Sequence, residues 1–414
     1  SVDLKTEATI IDAMERLMAG RTTFMIAHRL STLEGCDLRL ELSEGHVMVP
    51  PTTVSARATA QPSVASGSSG PPPTPLLQRR SVSTTNDSVP SSKRVQHLQL
   101  LPAVRAWEQL TGARSSFSTV DVLKESKGSQ VYRLRGDQPA EDVVAKRRRR
   151  DKLAPERTVY EHLLGSLPVL PTRYFGHLSE EESDFGWLFT EHVGGEPLRA
   201  TDGSHLAALA DYLASVHSGA ASLGGLRDLP DRSLSFFDRQ AESAAAEVLV
   251  GLENDTIGPG DRVVLEAHLD LLERLRGGLD GVARSLEHIP RTLVHCDLIA
   301  SNTRVVGANG DSQVIVFDWE YCGVGSPAPD VAILGRHLPS LRRYADALHG
   351  WGDVSFADVQ MLAEVGVVLR FALAISWDGA SLRYPNPHRS LRRLARYRDP
   401  FKAAMDRVWA TTGA

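Results

Sequence analysis

Apolar residues recur along the chain with two different spacings, and the change between them divides the sequence. Between residues 117 and 193, the runs VDVL, SQVYRL, DVVAK and WLFTEHV are typical of short strands, and the small residues of SKGS predict a hairpin turn. One helix is predicted among them, at 155–167, because helical spacing follows a proline. Beyond them, apolar positions recur every three to four residues, which predicts helices at 205–217, 237–252 and 261–275. Strands followed by helices predict an α+β protein with two lobes and a cleft between them.

Composition changes twice along the chain and suggests the domain boundaries. Residues 1–48 have an ordinary globular mixture, whereas 49–98 are rich in Pro, Ser, Thr, Ala and Gly and contain one acidic residue, Asp87. Such a stretch has too little apolar surface to offset the loss of chain entropy, so it is predicted to be a disordered linker. The strand-rich lobe is placed at 99–195 and the helical lobe at 196–414.

The overall composition narrows the class of protein. Hydrophobic residues make up 42% of the 414 residues and charged residues 23%, the balance of a folded chain. The net charge of −5 provides no basic field, so no nucleic-acid partner is expected. The three cysteines lack paired spacing and no secretory leader is evident, which favours a reducing, cytoplasmic location.

The strongest chemical signal is a pair of segments, LVHCDLIASNTRV and VIVFDWE, in which apolar strands lead into polar side chains. Asp297 and Asn302 follow the first strand, and Asp318 follows the second. In phosphoryl transfer, one carboxylate orients the attacking hydroxyl and accepts its proton, while a second carboxylate and an amide oxygen hold Mg²⁺ against the phosphates. We therefore predict Asp297 as the catalytic residue and Asn302 and Asp318 as metal ligands, all at one end of a sheet.

The same residues carry a resemblance to a known family. His295, Asp297 and Asn302 fit an HxDxxxxN loop, and Asp318 is followed by Trp-Glu and then by GVGSPAPDVA. Over residues 105–410 the chain resembles the aminoglycoside phosphotransferase and choline kinase-like family. The resemblance implies a bilobal protein kinase-like fold, ATP and Mg²⁺ as cofactors, and a small-molecule hydroxyl acceptor as the partner.

The resemblance also assigns a nucleotide site. Lys146 in VVAK stands where the family places the lysine that contacts the α- and β-phosphates, and Glu156 is its implied ion-pair partner, with Glu161 as the alternative. The turn SKGS would cover the triphosphate, and WLFTEHVGG would offer backbone groups to adenine. The implied ATP-binding set is Ser126, Gly128, Ser129, Lys146, Glu156, Glu191 and Val193.

Neighbouring residues fit structural roles better than chemical ones. His295 is expected to brace its loop, Asp330 to cap a turn, and His217 and Cys296 to pack in the core. The basic run at 147–150 favours a solvated strand end, with a landing site for an anionic partner as the alternative.

The first 48 residues resemble a different protein class. Their SVD and IAHRLST motifs match the D-loop and switch-histidine loop of an exporter-type ABC transporter nucleotide-binding domain, which assigns Asp3 and His28 to those loops. No GxxxxGK[ST] phosphate loop occurs in the chain, so this truncated stub is not expected to hydrolyse ATP. It is interpreted either as part of a transporter–kinase fusion or as a relic joined to a working kinase. ABC transporter subunits or a membrane domain are its implied partners.

Two functions from different classes follow from these motifs. The leading one is an ATP-dependent O-phosphotransferase for a small molecule of the aminoglycoside, choline or macrolide type, with antibiotic resistance as one role. The alternative is a nucleotide-binding regulatory module of a transporter, without turnover. Residues 199–290 hold fifteen acidic against eight basic residues, which suits a cationic acceptor, although a solvated surface explains the charges equally well.

Overall fold

The computed structural model describes residues 101–412, apart from Lys127, 139–140, 308–311 and 349–350, and three short strands ahead of them. These strands are Glu41–Ser43 (β1), His46–Met48 (β2) and Ser92–Lys93 (β3). The chain divides into two compact units, Ser1–Ser69 and Gly70–Ala414, and β1 pairs antiparallel with β2 in the first. The roles predicted for Asp3 and His28, and most of the predicted linker, lie outside the described residues.

The strand-rich lobe is one antiparallel sheet in the order β3-β4-β5-β6-β8-β7. Its longer strands are Thr119–Ser126 (β4), Ser129–Arg135 (β5), Val143–Arg149 (β6), Tyr174–Ser179 (β7) and Phe185–Glu191 (β8). The hairpin predicted at SKGS is the β4–β5 turn. One difference is at the edge, where β3 pairs with β4 although it falls within the predicted linker at 49–98. An edge strand pairs through main-chain hydrogen bonds, and two residues are too few to give an apolar pattern from which the strand could be predicted.

Aromatic packing holds the first helix against this sheet. Helix α1, Pro102–Thr111, packs on β6, β7 and β8. The ring of Trp107 lies 5.4 Å from Phe175 and 5.5 Å from Phe189, measured between centroids. A small apolar core therefore fills one face of the sheet, and the residues of β6 that alternate away from it face the other side.

The helix that follows β6 starts earlier than predicted. Helix α2 is Arg150–Thr158, and it continues through a π-helical turn, Val159–Leu163, and a 3₁₀ turn, Leu164–Ser166. The predicted start at residue 155 is wrong because no loop separates strand from helix: the chain turns at Arg150, whose N–H donates to the Asp184 carbonyl at 2.8 Å.

The helical lobe contains seven helices in its described residues and two small sheets. The helices are Gly203–Ala220 (α3), Leu234–Leu252 (α4), Pro259–Leu286 (α5), Ala328–Val331 (α6), Leu338–Ala347 (α7), Phe356–Gly379 (α8) and His388–Thr412 (α9). The short strands are Glu196–Pro197 (β9), Asp231–Arg232 (β10), Thr292–Val294 (β11), Thr303–Val306 (β12), Gln313–Val316 (β13) and Gly323–Gly325 (β14). They form the sheets β10-β14-β11 and β13-β12-β9, so the single sheet expected under the catalytic motifs is in fact two.

Helix α8 is the central helix of this lobe. Among the described helices it alone is long and apolar enough to cross a membrane, with a mean hydropathy of 1.7 over its best window. That window is 78% buried inside the lobe. At Gly366 the helix passes so close to α6 that a Cβ would lie 1.8 Å from the carbonyl oxygen of Ala328, which explains the glycine. This packing fixes α6, which carries Asp330.

Candidate active site

The loop between β11 and β12 carries the predicted catalytic residue on a strained turn. Cys296, directly before Asp297, has a φ of 63°, a left-handed conformation that is uncommon for a residue with a side chain. Both carboxylate oxygens of Asp330 support the turn: Oδ2 accepts from the His295 N–H at 2.7 Å and Oδ1 from the Cys296 N–H at 2.9 Å. Asp330 is therefore a buried anion that holds the backbone of the catalytic loop.

Two histidines favour the charged form of Asp330. Burial alone would raise the pKa of Asp330, but the interaction with His217 and the hydrogen bond from the His295 N–H outweigh burial and lower that pKa. His217 Nε2 lies 3.5 Å from Asp330 Oδ2, and its Nδ1 lies 2.8 Å from the hydroxyl of Tyr344. His217 is thus a core residue that positions the capping anion.

We expect Asp330→Asn to lower the free energy of unfolding by about 3 kcal/mol, because the amide nitrogen, itself a donor, would replace one of the two oxygens that accept backbone N–H bonds in this buried site. Urea unfolding would measure this, with the exposed Asp353→Asn as the control. A carboxyl with a lowered folded-state pKa stabilises above its unfolded pKa, so the wild-type advantage should vanish as pH falls through the folded pKa. Equal stability of the two variants at neutral pH would contradict this role.

His295 braces the catalytic loop. Its Nδ1 accepts from the Asp297 N–H at 3.3 Å, so Nε2 carries the proton and donates to the Phe317 carbonyl at 3.1 Å. Its ring centroid lies 4.7 Å from that of Trp319. These contacts use both ring nitrogens and tie the loop to the segment around Asp318.

Asn302 and Asp318 lie at the same end of the β12–β13 pair. Asn302 Nδ2 donates to the Asp297 carbonyl at 3.0 Å, and the Phe317 N–H donates to the Asn302 carbonyl at 3.1 Å. Asp318 is left-handed, with a φ of 67°, and its N–H donates to the Tyr160 hydroxyl at 3.3 Å. The structure therefore brings Asp297, Asn302 and Asp318 together, with Asp318 the most exposed of the three.

Lys146 links the two lobes at this point. Its Nζ lies 2.7 Å from Glu156 Oε2, 2.5 Å from Asp318 Oδ1 and 3.1 Å from Glu320 Oε2. The lysine side chain is 8% exposed, so it is shielded from water as well as surrounded by anions. The alternative partner Glu161 instead binds Arg157 and the Tyr174 hydroxyl, both at 2.8 Å.

Glu320 is a site residue that the motif analysis quoted but did not assign. Burial would raise the pKa of Glu320, but Lys146 and Arg148 outweigh it and hold that pKa at about 2. The carboxylate is therefore charged at neutral pH. The Trp-Glu pair after Asp318 was the signal that could have found it.

The predicted basic run is only partly solvated. All four of its residues are in ion pairs: Arg147 with Glu180, Arg148 with Glu320, and the more exposed Arg149 and Arg150 with Asp184. The strand-end interpretation is wrong for Arg148, which lies at the active site.

A cleft of about 140 Å³ lies beside the Lys146 cluster. Apolar side chains of both lobes line it, and Lys146, Glu156, Glu191, Val193, Asn302 and Asp318 are among the predicted residues that reach it. Ser126, Gly128 and Ser129 form the adjacent β4–β5 turn, in which the Ser129 N–H donates to Ser126 Oγ at 3.1 Å. Arg304 and Phe317 also line the cleft, with the guanidinium 5.2 Å from the ring centroid, and no motif predicts them.

The donor set near the cleft fits magnesium. Asn302, Asp318 and Glu320 offer hard oxygen atoms, the type that Mg²⁺ prefers. Among the described residues, no group of three or more His, Cys, Asp and Glu side chains is spaced to hold a metal ion by itself. Magnesium commonly completes its shell with water and substrate phosphates, so two carboxylates and an amide are sufficient protein ligands.

A comparison with protein families identifies the family of this chain. Residues 122–362 match the model of the family described as "Phosphotransferase enzyme family". The chain belongs to this phosphotransferase family. The match includes Lys146, the catalytic loop and Asp330, so the resemblance inferred from the motifs is confirmed.

Solved structures support the fold of this phosphotransferase. A mutant aminoglycoside 2′-phosphotransferase-IIIa in complex with GDP superposes with a TM-score of 0.52 at 13% identity, covering 72% of this chain and 96% of that chain. A microcompartment-associated aminopropanol kinase has a TM-score of 0.50 at 16% identity, covering 71% and 93%. The predicted bilobal α+β fold is therefore confirmed.

The N-terminal segment has separate relatives. Over 48 residues it is 48% identical to ABC transporter B family member 17 of Arabidopsis thaliana and to the β-(1→2)glucan export ATP-binding/permease protein NdvA of Bartonella henselae. These matches cover 12% of this chain but only 4% and 8% of the relatives' lengths. The predicted similarity of this segment to ABC transporters is confirmed.

Proposed function

We propose that this phosphotransferase transfers the γ-phosphoryl group of ATP to a hydroxyl of a small molecule. The observation that carries the proposal is the Lys146 cluster, in which one buried lysine contacts Glu156 of the strand-rich lobe and Asp318 of the helical lobe. Phosphoryl transfer needs a phosphate-binding lysine and a metal-binding carboxylate at one site, and this cluster is consistent with that need.

The residues of the chain divide the chemistry among them. Asp297 would orient the acceptor hydroxyl and take its proton, since its loop is held rigid by Asp330. Lys146 would contact the phosphates, with Glu156 aiming its ammonium group. Magnesium, held by Asn302 and Asp318 with Glu320 nearby, would neutralise charge on the phosphates when bound.

Surface ion pairs engage part of the acidic excess of the helical lobe. Asp211 pairs with Arg343, Glu247 with Arg383, and Asp238 with Arg276. Two of these three arginines lie beyond residue 290, outside the range in which the excess was counted. The proposal that the acceptor is an aminoglycoside, choline-type alcohol or macrolide therefore rests on the family and fold alone.

Two further elements belong to the proposal. A cytoplasmic location is consistent with the use of ATP and with the buried free cysteines Cys296 and Cys322. A link to an ABC exporter, with a role in antibiotic resistance, rests on the 48-residue similarity at the N-terminus.

A panel of acceptors tests the proposed function. The full chain would be incubated with MgATP and, separately, amino alcohols, choline, aminoglycosides and macrolides, with products identified by mass spectrometry. We expect one class to gain a single phosphoryl group with equimolar ADP release. If no acceptor in any class is phosphorylated and ATP consumption stays independent of acceptor, the proposed function is contradicted.

A further inference from the structure

Arg148 lies on the same face of β6 as Lys146. Residues two apart in a strand point to the same side, and directly opposed residues of neighbouring strands do so too. Arg148 is opposite Ser129 of β5, and Lys146 is opposite Val131, which lines the cleft. Both cations contact the same oxygen, Glu320 Oε2, so the guanidinium of Arg148 stands beside the ammonium of Lys146, which lines the cleft.

Two buried donor atoms on this register pair have no hydrogen-bond partner within the described part of the chain. They are Nε of Arg148 and Oγ of Ser129, and Ser129 is only 5% exposed. Buried polar atoms are nearly always paired, because an unmade hydrogen bond is costly. Two neighbouring donor atoms without a partner indicate a ligand that accepts a hydrogen bond from each of them.

The guanidinium of Arg148 shares its carboxylate partner with Lys146. Glu320 is the ion-pair partner of Arg148 within the described residues, and the same carboxylate also contacts the Lys146 ammonium. A triphosphate carries more negative charge than the single carboxylate of Glu320 and presents several acceptor oxygens. A triphosphate would therefore compete well with Glu320 for the N–H donors of the Arg148 guanidinium.

We propose that Arg148 binds the terminal phosphate of the nucleotide and is held on Glu320 until the triphosphate arrives. Ser129 Oγ donates to the same phosphate group from the facing strand. This inference rests on the proposed function and adds a second phosphate-binding cation to Lys146. Because a diphosphate lacks the terminal group, Arg148 discriminates between the substrate and the product nucleotide.

Calorimetric titration of the full chain with a non-hydrolysable ATP analogue and with ADP, both with Mg²⁺, tests this without turnover. Arg148→Gln should weaken binding of the triphosphate about 10- to 100-fold, the range for a hydrogen bond to a charged group, and that of ADP less than about threefold. Arg148→Lys should keep part of the triphosphate affinity, since lysine has the positive charge of arginine but not its planar set of N–H donors.

Arg147→Gln is the matched control. Arg147 is the adjacent residue of the same strand, points to the opposite face, and pairs with Glu180. The Arg147→Gln variant should bind both nucleotides with the affinity of the wild type.

Three results would overturn the role of Arg148: unchanged triphosphate affinity in Arg148→Gln, equal losses for both nucleotides, or recovery of triphosphate affinity by excess Mg²⁺. The last would mean that Arg148 only holds Glu320 for the metal. If the wild type bound neither nucleotide, the proposed function itself would fail, and this inference with it.

Discussion

Replacing Asp297 with asparagine is expected to lower turnover about 10²- to 10⁴-fold while ATP affinity stays within about twofold. The asparagine has the same shape but does not accept the proton of the acceptor hydroxyl. Nucleotide affinity should be unaffected, because the carboxylate acts on the acceptor and because the backbone contacts of Asp297 with His295 and Asn302 survive the substitution.

Steady-state rates of Asp297→Asn measure the loss of turnover, and calorimetric titration with nucleotide measures whether ATP affinity is kept. Asp238→Asn, a surface carboxylate paired with Arg276, is the matched control and should keep both rate and affinity. Turnover of Asp297→Asn within about threefold of the wild type would show that another group accepts the proton.

Removing the Asp318 carboxylate is expected to abolish turnover at any practical magnesium concentration. A full negative charge beside the cation offsets more phosphate repulsion than a neutral amide does, so Asn302→Ala should be milder than Asp318→Ala. The structure adds a second cost for Asn302→Ala, the loss of the Nδ2 donor to the Asp297 carbonyl. Excess Mg²⁺ or Mn²⁺ should therefore restore only part of its activity.

Titrating metal against rate for both variants separates the two ligands. We expect a raised metal requirement for Asn302→Ala and no measurable recovery for Asp318→Ala. If Asp318→Ala recovered with metal as readily as Asn302→Ala, or if either variant kept full activity at low magnesium, the metal site would lie elsewhere.

The parts of the fold that depend on neighbours in sequence could be predicted. The β4–β5 hairpin follows from one turn between two strand patterns, and the long helices from their apolar spacing. Asp297, Asn302 and Asp318 could be predicted as a set, because each lies within three residues of an apolar strand. The helix at 155–167 was misplaced at its start because proline favours a first turn but does not require one.

The parts that depend on distant contacts could not be predicted. Arg148 and Glu320 are 172 residues apart in sequence, and only the folded lobes bring them together. Strand β3 has two residues, too few to show an alternating pattern in the sequence. The sequence predicted a solvated strand end for the basic run at 147–150, although Arg148 in that run contacts Glu320 beside the Lys146 cluster.

The most direct test of the central claim follows the γ-phosphoryl group itself. The full chain would be mixed with ATP labelled at the γ-phosphorus and the acceptor found in the panel, in parallel with Asp297→Asn. The account predicts that the label appears in the acceptor with the wild type and stays on ATP with the variant, although both bind nucleotide. Nucleotide binding by the wild type with no label in any acceptor would contradict it, and would instead support a module that binds ATP without turnover.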